Sequence, residues 1–578
     1  MSPAAGLANL DFAKALLGSL HEAGAIHAYV CPGSRSSPLA LALALVGMPH
    51  SVRIDERQAG FEALGMAKCA QAPVLLIVTS GTAGANLLPA VAEAAQARVP
   101  LVVLSADRPP ELRQWGAAQT MEQRQLYAPF VRYAEEAPCP DAGLDLAYAR
   151  ALARRALEAA CAAAPGPVHL NLPFREPLLP ASIAAAEFHT APRAIATRRP
   201  PSHAVATLDA IWHTRLDARR GVLLAGPDAC PPGRAQALAQ LAQTLGWPLI
   251  ADPASGLRAQ PALASHLIHH ADLFLRDADR AAALRPQIVL RCGSLPTSKA
   301  LAQWLARHPE ADYHLLDPGA DWRDPTHRCQ EVLRLQPEDL LAALPAAPRP
   351  APADWLAAWR DTDARAGAAL TQALSEDGEF GTPLLARTLW QALPPEALLY
   401  VANSMPIRDL DAYAGARDTP LRVLCNRGVN GIDGQIASAL GAAAAHAGPS
   451  ALWCGDLAFL HDLGGLLAAR QHARQLCIVL SHDDGGGIFE YLPVAQAIPR
   501  SVFETLFGTP HGLDLAALAA GLGCSAHRVQ HAEGLRQALD VALRGGVHVI
   551  EVRLDRARNT AQHRALQATL QAALREAP

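Results

Sequence analysis

The feature that most constrains this chain is a repeated pattern: a short apolar run, a glycine-bearing turn, a helix-length stretch and a second apolar run. Residues 74–78 (VLLIV) lead through SGTAGANLLPAVAEAA to residues 101–105 (LVVLS), and residues 451–454 (ALWC) lead through GDLAFLHDLGGLLAARQ to residues 477–481 (CIVLS). Runs this short and this apolar read as strands buried on both faces, so each unit is βαβ and the sheets are parallel. Val78 to Leu101 spans 23 positions, as does Cys454 to Cys477, which predicts one shared architecture for the two ends of the chain. The expected fold class is α/β, with parallel sheets flanked by helices.

The middle of the chain has units of its own. Residues 221–225 (GVLLA) lead through GPDACPPG and a helix to residues 248–252, and residues 287–292 (QIVLRC) lead through GSLPTSKALAQWLA to residues 312–316. Neither run is followed by G-x-G-x-x-G, so this segment is Rossmann-like without a dinucleotide fingerprint. Residues 176–203 carry five prolines without any sustained period, and LPAAPRPAPAD at 344–354 is denser still; both read as surface linkers. Three domains follow: 1–185, 200–343 and 355–578.

Composition excludes several classes. Fifty basic against 54 acidic residues give a net charge of −4, with no basic field for nucleic acid or an anionic membrane. With 51% hydrophobic residues, the 578-residue chain can bury several cores. Eleven cysteines, scattered singly and never as C-x-x-C, speak against structural zinc or a disulfide framework and for a reducing compartment. The start, MSPAAGLANLDFAKALL, lacks the basic region of a signal peptide, and no apolar run approaches the roughly 18 residues that span a bilayer. The expectation is a large cytoplasmic protein. Lysine occurs only at positions 14, 68 and 299.

Gly455-Asp456-Leu457 is followed, 27 positions after Asp456, by Asp483 in SHDDGGGIF. Both carboxylates fall at the C-terminal ends of expected parallel strands, where open α/β sheets hold their ligands. With a backbone carbonyl and a phosphate they would suit Mg²⁺, and Gly485, Gly486 and Gly487 would let backbone approach a diphosphate. The alternative is two helix-capping aspartates. Glu56, in VRIDERQAGFEALGMAK, sits between a strand expected over 51–55 and a helix beginning near Arg57. It is either a group at the mouth of the first sheet or a first-turn acid favoured by the helix dipole. His266, His269 and His270 lack the acid or cysteine partners of a metal site and read as core, and Gly33-Ser34-Arg35 lacks the G-x-S-x-G of a serine nucleophile. The leucines of AQHRALQATLQAALREA read as core or interface.

Glu56 at a strand end, SGTAGANLLPA, GDLAFLHD and DDGGGIF together resemble the thiamine-diphosphate-dependent enzymes of the pyruvate-decarboxylase-like group. More narrowly, PGSRSSPLA, DERQAGFEALGMAK, TSGTAGANLLPAV, NSMPIRDLD, NRGVNGIDG and DDGGGIFEYLP resemble the 2-succinyl-5-enolpyruvyl-6-hydroxy-3-cyclohexene-1-carboxylate synthase family of menaquinone biosynthesis. The resemblance covers both outer segments and is loose across the middle. It implies a three-domain thiamine-diphosphate-binding fold and a decarboxylative Stetter-type 1,4-addition of 2-oxoglutarate to isochorismate, releasing CO₂.

The resemblance also implies roles. Glu56 hydrogen-bonds the aminopyrimidine, Ile432 holds the cofactor bent, and Asp456, Asp483 and the Gly485 carbonyl hold Mg²⁺, with Mn²⁺ as a substitute. Gly81, Ser404, Met405, Gly455, Leu457, Gly486, Ile488 and Phe489 complete the cofactor site. Ser34, Arg35, Gln119, Lys299, Ser404, Arg408 and Arg427 line the substrate pocket, with Arg408 and Arg427 towards the succinyl end and Arg35 and Lys299 towards isochorismate. Arginine is the bidentate partner for the four carboxylates of the two substrates. The family clamps its cofactor across a subunit interface, which implies a homodimer or a dimer of dimers. The sequence departs from the pattern at Asp483, where much of the family has Asn, at Ala300, where some members carry a second basic residue, and at Ala118 in place of a frequent Asn. The alternatives are another thiamine-diphosphate 2-oxoacid decarboxylase or carboligase, and a non-catalytic binding protein of the same fold.

Overall fold

The computed structural model describes residues 4–184, 210–229, 235–319, 321–344, 349–374, 379–471 and 475–575. Residues 185–203 of the first expected linker and 345–348 of the second lie outside the described residues. The chain forms two compact units: Met1–Ser202 with Asn426–Ala447 and His461–Arg474, and His203–Cys425 with Gly448–Leu460 and Gln475–Pro578.

The first unit holds a parallel sheet of β1 (His27–Val30), β2 (His50–Val52), β3 (Val74–Val78), β4 (Leu101–Asp107), β5 (Tyr133–Glu136) and β6 (Val168–Pro173), in the order β2-β1-β3-β4-β6-β5. Its central strand β3 is apolar and buried throughout because both faces of the sheet are covered there, whereas the edge strands β2 and β5 carry polar, partly exposed residues. Leu75, Ile77, Val102 and Leu104 enter one core, while Val74, Leu76, Val78, Leu101 and Val103 enter the other, which is the alternation a pleated strand imposes. Each such fully buried side chain contributes about 1.5–3 kcal/mol. The stretch after β3 is two helices, Thr82–Asn86 and Leu88–Ala97, because Pro89 lacks the N–H needed to continue the first. In the same unit the helices Glu56–Ala70 and Gln435–Ala444 cross at backbone contact. A Cβ at Gly65 would lie 1.8 Å from the Ser438 carbonyl oxygen, and one at Gly441 would lie 1.9 Å from that of Glu62, so glycine is required on both helices.

The second unit holds two sheets. One comprises β7 (Gly221–Ala225), β8 (Leu249–Ala251), β9 (Leu267–Ile268), β10 (Ile288–Cys292), β11 (Asp312–Leu316) and β12 (Glu331–Leu333), ordered β12-β11-β10-β7-β8-β9. The other comprises β13 (Leu398–Val401), β14 (Arg422–Leu424), β15 (Ser450–Gly455), β16 (Leu476–His482), β17 (Ser525–Val529) and β18 (Val547–Arg553), ordered β14-β13-β15-β16-β18-β17. This is the order of the first sheet, so the shared architecture read from the matched spacing is present. Leu566, Leu570 and Leu574 of the last helix are buried, as their helical spacing predicts. No helix among the described residues is long and apolar enough to cross a membrane.

In each sheet the chain crosses over to the other side of its first strand, between β1 and β3, between β10 and β7, and between β13 and β15. Parallel sheets hold ligands in the crevice at the carboxyl ends of the strands flanking such a crossover. Ser34, Arg35 and Gly81 follow β1 and β3, Lys299 follows β10, and Ser404 and Asp456 follow β13 and β15.

Candidate functional site

In the first unit the expected strand over 51–55 is shorter, His50–Val52, because Asp55 turns out of the sheet to cap the next helix. Its carboxylate accepts the Arg57 and Gln58 N–H groups at 2.8 and 3.3 Å, which makes Glu56 the first residue of the helix Glu56–Ala70, half-buried at the sheet mouth. Behind it Cys31 is buried, and desolvation followed by the charges of Glu56 and Asp55 raises its thiol well above the ordinary range.

Gly81 adopts φ 86°, ψ −146° and donates its N–H to Gln123 Oε1 at 3.0 Å, and a Cβ on it would meet the Gln119 side chain at 2.9 Å. Gln119 has φ 57°, rare for a residue with a side chain, and donates to the Ser80 carbonyl at 3.0 Å. Ser80 also accepts from Arg108. Arg35 is buried and donates to the Phe174 carbonyl and to Glu176 Oε1, both at 2.9 Å, with its Nε left without a partner. Burial, and then the charge of Arg35, lowers the pKa of Arg108. The structure therefore gathers Arg35, Gly81, Gln119 and Arg108 at one place. Arg108 was absent from the sequence-based set, because one arginine in SADRPPELR carries no local signal. Ser34 is exposed beside Arg35.

Also in this unit, the segment that carries Arg427 (half-buried) and Ile432 (37% exposed) runs over the helix Leu88–Ala97. Glu93 of that helix accepts the Gly428 and Val429 N–H groups at 2.7 and 2.6 Å.

In the second unit Asp456 is 2% exposed and begins the helix Asp456–His461. One oxygen accepts the Leu457 N–H at 2.7 Å and the other the Gly485 N–H at 2.9 Å, joining the two motifs 27 positions apart. Gly485 adopts φ 137°, and a Cβ there would sit 1.9 Å from the Gly508 carbonyl oxygen. At Gly486 a Cβ would meet the Phe507 carbonyl at 2.3 Å, and its N–H donates to Gly508 at 2.8 Å. At Gly455 a Cβ would meet nothing within 4 Å. Asp483 faces Gly487; burial, and next the Asp456 charge, pushes its pKa up to about 7. Arg556 closes the loop from behind, donating to the Asp483 carbonyl at 3.3 Å and to Glu504 at 2.9 Å. Ile488 and Phe489 lie in the short turn Gly487–Tyr491, where the Phe489 ring packs 5.5 Å from that of Phe507.

A second donor set also meets Asp456. Its carboxylate, His482 and His511 place ligand atoms within 4.8 Å of one another. His482 is oriented by a 2.6 Å bond between Nδ1 and the buried Glu551. His511 lies beyond the motifs and could not have been found from spacing.

Ser404 sits at φ 73°, ψ −130°, an uncommon conformation for a side-chain-bearing residue, and opens the helix Met405–Tyr413. Its carbonyl accepts from the exposed Arg408 at 2.5 Å. Gln119, Ser404, Asn430 and Asp484 all have positive φ in or beside candidate segments, as functional sites that hold strained backbone do. Lys299 is the exposed first residue of the helix Lys299–Arg307, capped by Ser298, whose Oγ accepts the Leu301 N–H at 3.0 Å and donates to Asp272 at 2.6 Å. Ala300 is buried. Of the three histidines read as core, His270 is buried while His266 and His269 are half-buried, and all three have lowered pKa values with desolvation as the largest cause.

The helix bearing Arg408 is anchored by the next residue. Asp409 accepts His563 Nε2 at 2.9 Å, and Tyr491 of the glycine loop lies 3.0 Å from His563 Nδ1. Burial lowers the imidazole pKa, but Asp409 and its other hydrogen bonds outweigh that and raise it above 6.5. The extra stability is therefore present below pH 6.5 and is lost as pH rises through the raised value. Urea melts across that range are expected to show a fall of about 1–2 kcal/mol that Asp409→Asn removes; an unchanged slope in the variant would contradict the pairing.

Comparison with known proteins gives the family of the chain. Residues 10–126 match the thiamine pyrophosphate enzyme N-terminal TPP-binding domain, 195–401 the middle domain, and 411–552 the C-terminal TPP-binding domain. A 2-succinyl-5-enolpyruvyl-6-hydroxy-3-cyclohexene-1-carboxylate synthase of Chloroflexus aurantiacus is 44% identical over 571 residues, covering 97% of this chain and 96% of that protein. The chain belongs to the 2-succinyl-5-enolpyruvyl-6-hydroxy-3-cyclohexene-1-carboxylate synthase family. Synthases of the same name from Myxococcus xanthus and Geobacillus kaustophilus are 43% and 44% identical, covering 99% and 96% of this chain and 98% and 96% of theirs. As a member of this synthase family, the chain is a thiamine-diphosphate enzyme with three such domains, each built on a six-stranded parallel sheet.

Proposed function

We propose that this chain joins 2-oxoglutarate to isochorismate with loss of CO₂, forming 2-succinyl-5-enolpyruvyl-6-hydroxy-3-cyclohexene-1-carboxylate for menaquinone biosynthesis in the cytoplasm. We place its domains at 1–185, 200–343 and 355–578. The observation that carries the reading is the glycine loop locked onto Asp456 at the crossover point of a sheet whose twin presents Glu56. The residues fit a divalent cation and a diphosphate. Asp456 and Asp483 are carboxylates close enough that one raises the other, a repulsion that a cation relieves, and the backbone around Gly485 and Gly486 has no room for side chains.

Bound thiamine diphosphate supplies the electron sink for loss of CO₂ from a 2-oxoacid and for carbon–carbon bond formation. Asp456, Asp483 and the Gly485 carbonyl hold Mg²⁺, or Mn²⁺ in its place. Glu56 would hydrogen-bond the pyrimidine and serve as the proton-transferring side chain beside it, a role worth about 10²–10⁴ in rate. Ile432 props the cofactor, Gly81, Met405, Leu457, Ile488 and Phe489 pack it, and Ser34, Gln119 and Ser404 orient the reactants. Arg408 and Arg427 grip the succinyl carboxylates, while Arg35 and Lys299, with Arg108 beside Arg35, grip isochorismate. Active sites completed by a second copy of the chain agree with the exposure of Ile54, Trp115 and Val429, at 72%, 82% and 49%, next to Glu56, Gln119 and Arg427 in sequence or space.

Titration calorimetry tests the cofactor half. Thiamine diphosphate is expected to bind only with Mg²⁺ or Mn²⁺ present and to bind far more weakly to Asp456→Asn. Binding indifferent to cation and variant alike would overturn it.

A further inference from the structure

We propose that Glu93 is a positioning residue for the reaction, holding the loop that presents Arg427 and Ile432; the functional half of this inference rests on the reading above. Glu93 is 1% exposed, and a buried carboxylate demands partners. It takes the N–H of Gly428 at 2.7 Å and of Val429 at 2.6 Å, although the Val429 side chain is 49% exposed. An exposed loop whose amides converge on a buried charge is tied down at its centre by charge-assisted bonds.

The loop is built to reach that anchor. A Cβ on Gly428 would lie 2.6 Å from the Glu93 carbonyl oxygen and 2.9 Å from the Ala97 nitrogen, so only glycine lets the strand of loop lie on the helix backbone. Asn430, next in line, has φ 61°, and Gln435 donates to the Gly431 carbonyl at 2.9 Å. Asn426 fixes the other side through Ser438 Oγ at 3.0 Å. Arg427 and Ile432 thus flank a segment whose central anchor is a buried side chain of the helix Leu88–Ala97.

Hydrogen exchange and steady-state kinetics on the full-length holoenzyme test this together. In the wild type the Gly428 and Val429 amides are expected to exchange at least tenfold more slowly than that of Asn430. Glu93→Gln keeps the shape but sets an amide NH₂ against one of the two N–H donors. It is expected to erase that protection and lower kcat about tenfold, with thiamine diphosphate affinity changed less than threefold. Gly428→Ala, which lifts the loop with Glu93 intact, is expected to give the same kinetic loss should Glu93→Gln fail to fold. Wild-type amides at 428 and 429 that exchange as fast as that of Asn430, or either folded variant with wild-type kcat, would overturn the proposal. A wild type that releases no CO₂ from 2-oxoglutarate would instead sink the functional reading, leaving the exchange comparison to decide the anchor.

Discussion

Glu56→Gln is expected to lower turnover by about 10²–10⁴ while leaving thiamine diphosphate affinity within a few-fold of wild type. Glutamine preserves the volume and one acceptor at the head of the helix Glu56–Ala70, where Asp55 and not Glu56 makes the capping bonds to the Arg57 and Gln58 N–H groups. Helix stability is therefore retained, and thermal melts should move little. The amide can neither take nor return a proton, so the loss appears in kcat. A variant with wild-type turnover would show that Glu56 is only the first-turn acid that its position also suits.

Gly485→Ala is expected to abolish cofactor binding while the sheets stay folded. Residue 485 has φ 137°, which L-residues avoid, and the added methyl would be driven to 1.9 Å from the Gly508 carbonyl. Relief requires the loop to move by more than an ångström, which breaks the Gly485 N–H bond to Asp456 and withdraws the carbonyl assigned to the metal. The expected loss in thiamine diphosphate affinity is at least 100-fold, about 2.7 kcal/mol. Calorimetric binding within tenfold of wild type would mean that the loop is not the diphosphate cradle.

Much of this was legible in the sequence because buried parallel strands leave a strong mark. The run VLLIV at Val74–Val78 and the segment 312–316 fell on their strands without adjustment, and the equal spacings of 23 positions foretold two sheets of one strand order. The motifs of the proposed site stood out because Asp456 and the glycines after Asp483 are unusual residue types at strand ends, and the structure joins them through the Gly485 N–H. The residues that were missed act through folding in three dimensions. Arg108 meets Arg35 across more than seventy positions, His511 reaches Asp456 from a later loop, and Arg556 closes the glycine loop from the last helix. Glu93 looks like any acid in an alanine-rich helix until Gly428 and Val429 arrive above it. The end of the strand near Glu56 was misplaced because Asp55 fits a strand end and a helix cap equally well, and the capping bonds decided it.

The central claim is most directly tested by mass spectrometry of products formed by purified protein with thiamine diphosphate, Mg²⁺, 2-oxoglutarate and isochorismate, each omitted in turn. The account predicts a new adduct with the mass of 2-succinyl-5-enolpyruvyl-6-hydroxy-3-cyclohexene-1-carboxylate that appears only when all four are present. Loss of CO₂ from 2-oxoglutarate without that adduct would contradict the assignment of isochorismate as acceptor, and the absence of both would contradict the account as a whole.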